Sequence, residues 1–425
     1  MIIIVSPAEK LKGELTVPGD KSVTHRAVIL GALGAGVTEV RGYLDAEDCR
    51  STIECMRAMG ARITFRGKVL LIQGRAMKLK EPVLPLDCGN SGTTARLLMG
   101  VLAGQPFKAE LTGDASLSRR PMKRVTAPLK KMGAYFPGDK ETLPLEVQGG
   151  ELEAISYKSP QASAQVKSAI LLAGLYADGE TIVEEPYLSR NHTELMLEQF
   201  GAKVKAEGPR VSVQGGNMLK GRQVRVPGDI SAAAFFMVAA AVVPGSDVVL
   251  KNVGVNPTRS GIIELLQEMG AELKLVNRRY WGREPVADIS VRGGDTLRGI
   301  EIGAAIIPRV IDEIPVLAVA AAVAQGETRI SGAGELRVKE SDRLTAISEQ
   351  LDRMGAMIKE TDDGLVIGGG GGLKGAMLDS CGDHRIAMAL AVAGLVAEGE
   401  TAVKNAGVIK ISYPAFMQSL RSLVE

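Results

Sequence analysis

Aromatic side chains are scarce in this sequence, at 4% with a single Trp, while Gly is plentiful at 50 residues. The core must therefore be aliphatic, and the chain must turn often and tightly. Cysteine is also rare. Cys49, Cys55, Cys88 and Cys381 form no CxxC pair, which excludes a disulfide framework and points to a reducing cytoplasm. In that compartment the sequon Asn191-His192-Thr193 carries no meaning for glycosylation. Three histidines, far apart in the chain, argue against a metal site built on imidazole. Lys+Arg 51 against Asp+Glu 49 leaves a net charge of +2, which is no electrostatic footprint for nucleic acid or an anionic membrane. No apolar run is long enough to read as a membrane helix. MIIIVSP lacks the basic and hydrophobic regions of a signal peptide and reads as a first strand. Neither GxxxxGK[ST] nor a strand-linked GxGxxG occurs, which argues against an ordinary nucleotide site. The run Gly368–Gly372 stands where other repeats have QG, QGG or RGG, so it is read as a lengthened turn.

What the sequence does have is repetition. At 425 residues two domains are expected. AMGARITFRGKVLLIQG, KMGAYFPGDKETLPLEVQGG, QFGAKVKAEGPRVSVQGG, EMGAELKLVNRRYWGREPVADISVRGG and RMGAMIKETDDGLVIGGGGG share one plan. Each is the end of an amphipathic helix, a Gly at its C-terminus, then two alternating strands closed by Gly. A second series interleaves with it: KSVTHRAVILGAL, NSGTTARLLMGVLAG, SAQVKSAILLAGL, ISAAAFFMVAAAVV, DEIPVLAVAAAVA and GDHRIAMALAVAG. These are small or polar in front and apolar all round afterwards, the pattern of a buried helix. The fold class expected is α/β, with six βαβαββ-like units, three to each of two similar domains.

The N-terminus of a buried helix offers unpaired N–H groups and about half a positive charge, a seat for anions. The fronts of five of the six helices carry reactive side chains: Lys21, Ser22 and Arg26; Asn90, Ser91, Gly92, Thr93 and Arg96; Ser163, Gln165 and Lys167; Asp312 and Glu313; Asp383, His384 and Arg385. The fourth front, ISAAAFF, is read as packing. Connections add Arg119, Arg120, Arg190, Arg337, Lys339, Glu340 and Arg343. A run of charge is ordinarily a solvated face, but these charges recur at equivalent places and are mixed with Gly, Ser, Asn and Thr. Arg is suited to clamping phosphate and carboxylate. The residues alone therefore point to an enzyme for a heavily anionic small substrate, with Asp312 and Glu340 as acid–base candidates.

PGDKSVTHR, CGNSGTTARLL, GDASLSRRPM, SAQVKSA, DEIPVLAVAA, ELRVKESDRL and GDHRIAMA follow one another in order. Together they closely resemble the 5-enolpyruvylshikimate-3-phosphate synthase family, and NSGTTAR and SRNHTE resemble its class II branch. The resemblance implies an inside-out α/β barrel: two domains of three units each around buried parallel helices, with the cleft between them. It implies a discontinuous domain of residues 1–19 and 228–425 and a second domain of 20–227. The hinges fall near 18–21 and 226–229, at the two VPGD turns. The implied reaction transfers the enolpyruvyl group of phosphoenolpyruvate to the 5-hydroxyl of shikimate 3-phosphate. The two substrates together carry about six negative charges near neutral pH.

By the same resemblance, shikimate 3-phosphate is bound by Lys21, Ser22, Arg26, Ser163, Ala164, Gln165, Arg190, Asp312 and Lys339. Ala164 stands where some relatives have a second Ser and would contribute backbone only. Lys21, Gly92, Arg120 and Gln165 match the phosphate cradle of phosphoenolpyruvate, and Arg343 and Arg385 match its carboxylate clamp. Asp312 is implied to deprotonate the 5-hydroxyl and Glu340 to protonate the methylene carbon, with Lys21 and His384 assisting. Lys410 lies one residue ahead of the place of a phosphate-binding Lys in class I relatives, and Ile411 occupies that place. The resemblance implies a cytoplasmic monomer without metal or organic cofactor. It also implies inhibition by glyphosate, because Gly92 leaves the space that an Ala would crowd. Simpler roles are expected of Asp20 and Asp342 as helix or turn starters, Asn90 as a cap, His25 and His192 as packed or hydrogen-bonded groups, and Arg119 as surface. Asp48 and Asp114 are further residues that can line the site. Two rivals are an enolpyruvyl transferase acting on UDP-N-acetylglucosamine, whose loop Cys is missing from GDASLSRRP, and an inactive anion-binding protein on the same fold.

Overall fold

The computed structural model describes residues 1–294 and 296–425. They form a mixed α/β structure that divides into two units. The inserted unit comprises 19–226 together with 280–284, and the terminal unit comprises 1–18, 227–279 and 285–425.

The inserted unit contains α1 (Lys21–Leu33), α2 (Glu47–Ala58), α3 (Gly92–Ala103), α4 (Lys123–Lys131), α5 (Ala164–Gly174) and α6 (His192–Phe200). The terminal unit contains α7 (Ile230–Val242), α8 (Gly261–Glu268), the single turn α9 (Ile307–Val310), α10 (Ile314–Val323), α11 (Arg343–Arg353), α12 (His384–Gly394) and α13 (Phe416–Arg421). Helices α1, α3, α5, α7, α10 and α12 are those whose sequences lack a polar stripe, and nearly every residue in them is buried. α3 and α5 cross closely enough that a Cβ on Gly100 would sit 2.1 Å from the Ala169 carbonyl oxygen, so glycine is obligatory there. The amphipathic helices α2, α4, α6, α8 and α11 end at the repeated motif. Its glycines (Gly60, Gly133, Gly201, Gly270 and Gly355) all have positive φ, between 86° and 106°, which only glycine adopts without strain.

Among the described residues the inserted unit has three sheets and the terminal unit four, the fourth being the short parallel pair of Leu373–Lys374 with Ala397–Glu398. In the six larger sheets a parallel pair of strands flanks a buried helix and one or two antiparallel strands are added. Leu86–Asp87 pairs in parallel with Lys108–Thr112 across α3, and Ser156–Lys158 with Glu180–Glu184 across α5. Glu301–Ile302 pairs likewise with Glu327–Ile330 across α10, and Met377–Asp379 with Thr401–Lys404 across α12. The remaining two sheets exchange their leading strands. Lys12–Leu15, before the first VPGD, pairs with Asp247–Leu250, after the second. Gln223–Arg225, before the second VPGD, pairs with Val37–Arg41, after the first. The repeated turn thus marks the two places where a strand is separated in the chain from the helix it precedes in the sheet.

The sequence reading divided the chain after residues 19 and 227 and gave 228–425 wholly to one domain; the units divide after Pro18 and Val226, and one further stretch changes sides. Residues 280–284, the tip of the hairpin formed by Glu272–Trp281 and Glu284–Arg292, belong to the inserted unit. Trp281 lies under Arg225, with the guanidinium carbon 3.6 Å from the ring centroid, while Arg283 pairs with Glu198 at 2.6 Å. His192 bonds Glu284 through Nδ1 at 2.7 Å. Among the described residues no helix is long and apolar enough to cross a membrane.

Candidate active site

In the inserted unit, chemistry-bearing residues gather at the starts of α1, α3 and α5. Asp20 caps α1 by accepting the Val23 N–H at 2.8 Å, as its sequence position suggested. The next residue, Lys21, donates to Asp48 Oδ2 at 2.8 Å. Asp48 sits in the first turn of α2, and its carbonyl accepts the Thr94 hydroxyl of α3 at 3.4 Å. A buried chain runs alongside: His25 Nδ1 to Thr52 at 2.7 Å, Thr52 to Thr94 at 2.6 Å, and Thr94 to Ser91 at 2.8 Å. Burial pulls the His25 imidazole down to about 3 against the pull of Asp48, so it is a neutral strut. These bonds hold three helix starts in one register.

Ser91, not Asn90, is the cap of α3, accepting the Thr94 N–H at 3.2 Å. Asn90 instead joins Asp114 at 2.6 Å to Arg120 at 2.8 Å. Arg96 donates to Gln165 at 2.6 Å, and Gln165 donates to Thr93 at 3.0 Å, which ties α3 to α5. A Cβ placed on Gly92 would lie 3.0 Å from Arg96 Nη1 and 3.3 Å from Arg120 Nη1. Gly92, Arg96, Arg120 and Gln165 therefore surround one small space at a helix N-terminus. Arg119, the neighbour of Arg120, is exposed. Arg96 is the residue that sequence reasoning left without a role here, although its position one turn after Gly92 on the same helix was a usable signal.

Ser163 caps α5 in extended conformation, makes no capping bond with its side chain, and is followed directly by Ala164 and Gln165. Arg26 is buried and commits three donors inside the unit: to Thr193 at 2.6 Å, to Ser168 at 2.8 Å and to the Ser22 carbonyl at 3.0 Å. Burial lowers its guanidinium to about 10, with Glu194 and Asp20 opposing and Arg190 adding to the decrease. Arg26 thus fixes the backbone beneath Ser22. Arg190, half-buried, lies near enough for its charge to be felt there.

In the terminal unit the centre is Asp312, in the turn between α9 and α10. Three guanidinium groups face it. Arg343 Nη1 reaches Oδ1 at 3.3 Å, Arg385 Nη1 bonds its carbonyl at 3.0 Å with Nη2 3.7 Å from Oδ2, and Arg259 Nη1 lies 3.7 Å from Oδ2. Arg343 is only 1% exposed at its side chain and also bonds Glu340 at 2.6 Å and Asp383 at 2.7 Å. Its guanidinium is buried, yet Asp383, Glu340 and Asp312 outweigh that burial and hold it well above the usual range. Asp383 caps α12 through the Arg385 N–H at 2.8 Å; burial raises its carboxyl, but Arg343 more than offsets this and holds it below the ordinary value. His384, also buried, is the first residue of α12. Burial pulls the Lys339 ammonium below its ordinary value despite Glu335 and Asp312, and it donates to Glu335 at 3.3 Å.

Some residues fall outside these groups or were missed. Lys410 is exposed on the turn Ala406–Ile411. Arg337 pairs with Asp342 and Glu360, and Asp342 caps α11, so both serve the helix start. The front of α7 was read as packing, yet Ser231 accepts from Arg259 at 2.5 Å and donates to Glu313. Arg259 and Ser231 had no local signal in sequence. Among the described residues no group of three or more His, Cys, Asp or Glu side chains is placed to hold a metal ion.

The inserted-unit site is rich in cations around a helix start, and the terminal-unit site sets carboxylates among guanidinium groups. The first can hold phosphate; the second can exchange protons and bind a carboxylate. Comparison with known proteins agrees with that chemistry. Residues 5–420 match the family model described as EPSP synthase (3-phosphoshikimate 1-carboxyvinyltransferase). The chain is 52% identical over 428 residues to the 3-phosphoshikimate 1-carboxyvinyltransferase of Desulforamulus reducens, covering 100% of both. It is 54% identical over 424 residues to that of a Thermoanaerobacter species, again covering 100% of both. The solved EPSP synthase of Acinetobacter baumannii superposes with a TM-score of 0.89 at 46% identity, covering 100% of this chain and 98% of that one. This chain belongs to the EPSP synthase family.

Proposed function

We propose that the two constellations divide one reaction between them. As an EPSP synthase the chain transfers the enolpyruvyl group of phosphoenolpyruvate to the 5-hydroxyl of shikimate 3-phosphate and releases phosphate. In our reading the inserted unit holds phosphate. Lys21, the Gly92 backbone, Arg120 and Gln165 take the phosphate of phosphoenolpyruvate, and Ser163, Gln165 and Arg190 take that of shikimate 3-phosphate. Ser22, carried on backbone anchored by Arg26, faces the shikimate carboxylate. The terminal unit performs the proton transfers. Arg343 and Arg385 receive the carboxylate of phosphoenolpyruvate, and Lys339 supports the shikimate ring.

Glu340 protonates the methylene carbon, leaving a cation-like C2. Asp312 takes the proton of the 5-hydroxyl as its oxygen attacks C2. Removal of a proton from the new methyl group then expels phosphate, assisted by Lys21 and His384. A positioned acid and base of this kind contribute about 10²–10⁴-fold each. The observation that carries the reading is Asp312 set among Arg343, Arg385 and Arg259, with Glu340 on the same Arg343.

The finer architecture, an inside-out α/β barrel of three units per domain, is supported by the three buried helices in each unit, each flanked by the parallel strand pair of a sheet of three or four strands. We further propose a cytoplasmic monomer, working without metal or organic cofactor and inhibited by glyphosate beside Gly92. The decisive assay incubates the protein with phosphoenolpyruvate and either shikimate 3-phosphate or UDP-N-acetylglucosamine, and measures phosphate release. Release with shikimate 3-phosphate alone is expected. Release with the uridine sugar, or with neither acceptor, overturns the reading.

A further inference from the structure

Glu185 lies just beyond the strand Glu180–Glu184, and no role above uses it. It is buried, and its two carboxylate oxygens serve two different segments. Oε1 accepts the backbone N–H of Ser163, the cap of α5, at 2.7 Å. Oε2 accepts the Ser189 hydroxyl at 2.7 Å and the Ser189 N–H at 3.4 Å. The ammonium of Lys167, 2% exposed, pairs with Glu185 at 2.9 Å and Glu194 at 2.8 Å. It also donates to the Ser189 carbonyl at 3.3 Å.

Burial disfavours the charge on Lys167, but Glu194 and Glu185 outweigh that and hold the ammonium above its ordinary value. A buried ion pair is a weak device for stability, since apolar residues of the same volume serve as well or better. What this one adds is register. The same carboxylate grips Ser163 on one side and, on the other, Ser189, whose next residue is Arg190.

We propose that Glu185 is a positioning residue for shikimate 3-phosphate: it fixes the spacing between Ser163 and Arg190, with Lys167 as its counter-ion. The proposal rests on the reading that Ser163 and Arg190 hold the substrate phosphate. A preset pair of donors binds without first having to be ordered, so loosening the staple weakens one substrate selectively. Of the contacts assigned to phosphoenolpyruvate only Gln165 lies on α5, and its side chain is held from α3 by Arg96 and Thr93 rather than by this staple.

The test is steady-state kinetics with each substrate varied in turn, on Glu185→Gln, Glu185→Asp, Glu194→Gln and Arg190→Ala, with thermal unfolding beside it. Glu185→Gln sets an amide N–H₂ where acceptors are required, so the KM for shikimate 3-phosphate rises about tenfold while the KM for phosphoenolpyruvate moves less than about twofold. Glu185→Asp retains one serine bond and falls between wild type and Gln, which keeps the test open should the Gln variant fold poorly. Glu194→Gln disturbs the same ammonium but neither serine, so it lowers the unfolding temperature and leaves both KM values within about twofold. Equal effects of Glu185→Gln and Glu194→Gln, or a rise in both KM values together, overturn the positioning role. If Arg190→Ala leaves the KM for shikimate 3-phosphate unchanged, the underlying assignment fails instead.

Discussion

Arg343 donates to Glu340 at 2.6 Å from the first turn of α11, so the candidate proton donor is tied to a candidate substrate-binding cation. When the carboxylate of phosphoenolpyruvate reaches Arg343, the guanidinium is shared and Glu340 loses part of its stabilising charge. Its affinity for a proton rises at the moment a proton is required. The Glu340 contribution to proton uptake on forming the complex with phosphoenolpyruvate and shikimate 3-phosphate is therefore expected to be positive. Titration calorimetry of an unreactive phosphoenolpyruvate analogue in buffers of differing ionisation enthalpy measures the uptake. Glu340→Gln should reduce it, and an equal uptake in that variant rules the exchange out.

Arg343 also carries structural weight, because Asp312, Glu340 and Asp383 all face it and Asp383 is fully buried. Removing one partner of such a group leaves uncompensated charge, which costs about 3–5 kcal/mol. Arg343→Met is expected to lose that much stability by urea unfolding at pH 8, and Arg343→Lys less, since its ammonium still neutralises one of the three carboxylates. The sign of the pH dependence follows from Asp383, which Arg343 holds below its ordinary value. That contribution is present above the unfolded carboxyl range and is lost as pH falls, so the gap between wild type and Arg343→Met narrows on acidification. A gap independent of pH removes the carboxylates as its cause.

Much of the architecture was legible in sequence because it is written in periodicity. The five glycines after the amphipathic helices and the absence of a polar stripe in α1, α3, α5, α7, α10 and α12 are local signals, and each corresponds to an observed element. Pairings between distant residues left no such mark. Lys12–Leu15 gives no sign that its partner is Asp247–Leu250. Ser231 is one hydroxyl in a run of Ala and Phe, and its importance depends on Arg259 and Glu313. Asn90 and Ser91 are both good caps by type, and only the geometry selects Ser91. Buried cations such as Lys167 resemble surface charge until the carboxylates that neutralise them are located.

Gly92 offers a local test of the phosphate cradle. A methyl group there would press on Arg96 Nη1 at 3.0 Å and on Arg120 Nη1 at 3.3 Å. Both atoms are the ends of flexible side chains, so the fold absorbs the change while the cradle shifts. Gly92→Ala is expected to raise the KM for phosphoenolpyruvate several-fold, by about 1 kcal/mol of lost binding, with the unfolding temperature little altered. Glyphosate inhibition should weaken by a larger factor than the KM rises. Identical inhibition curves for wild type and Gly92→Ala would remove glyphosate from this space.

His25 ties the stability of the inserted unit to pH. Its ring is fully buried and hydrogen-bonded to Thr52, and burial depresses its titration from the ordinary 6.5 to about 3. Between those values the unfolded chain binds a proton that the folded chain does not, so stability falls as pH decreases below 6.5 and the loss is complete near 3. Linkage over this window gives about 2 kcal/mol lost at pH 5 relative to pH 7 from this residue alone. His25→Gln keeps an amide within reach of Thr52 but cannot titrate. Urea unfolding of both proteins at pH 7 and pH 5 isolates the contribution, because the carboxylates they share cancel in the difference. Wild type is expected to lose about 2 kcal/mol more than His25→Gln over that interval. Parallel losses would mean that His25 accepts a proton in the folded state, and the neutral strut between α1 and α2 would have to be abandoned.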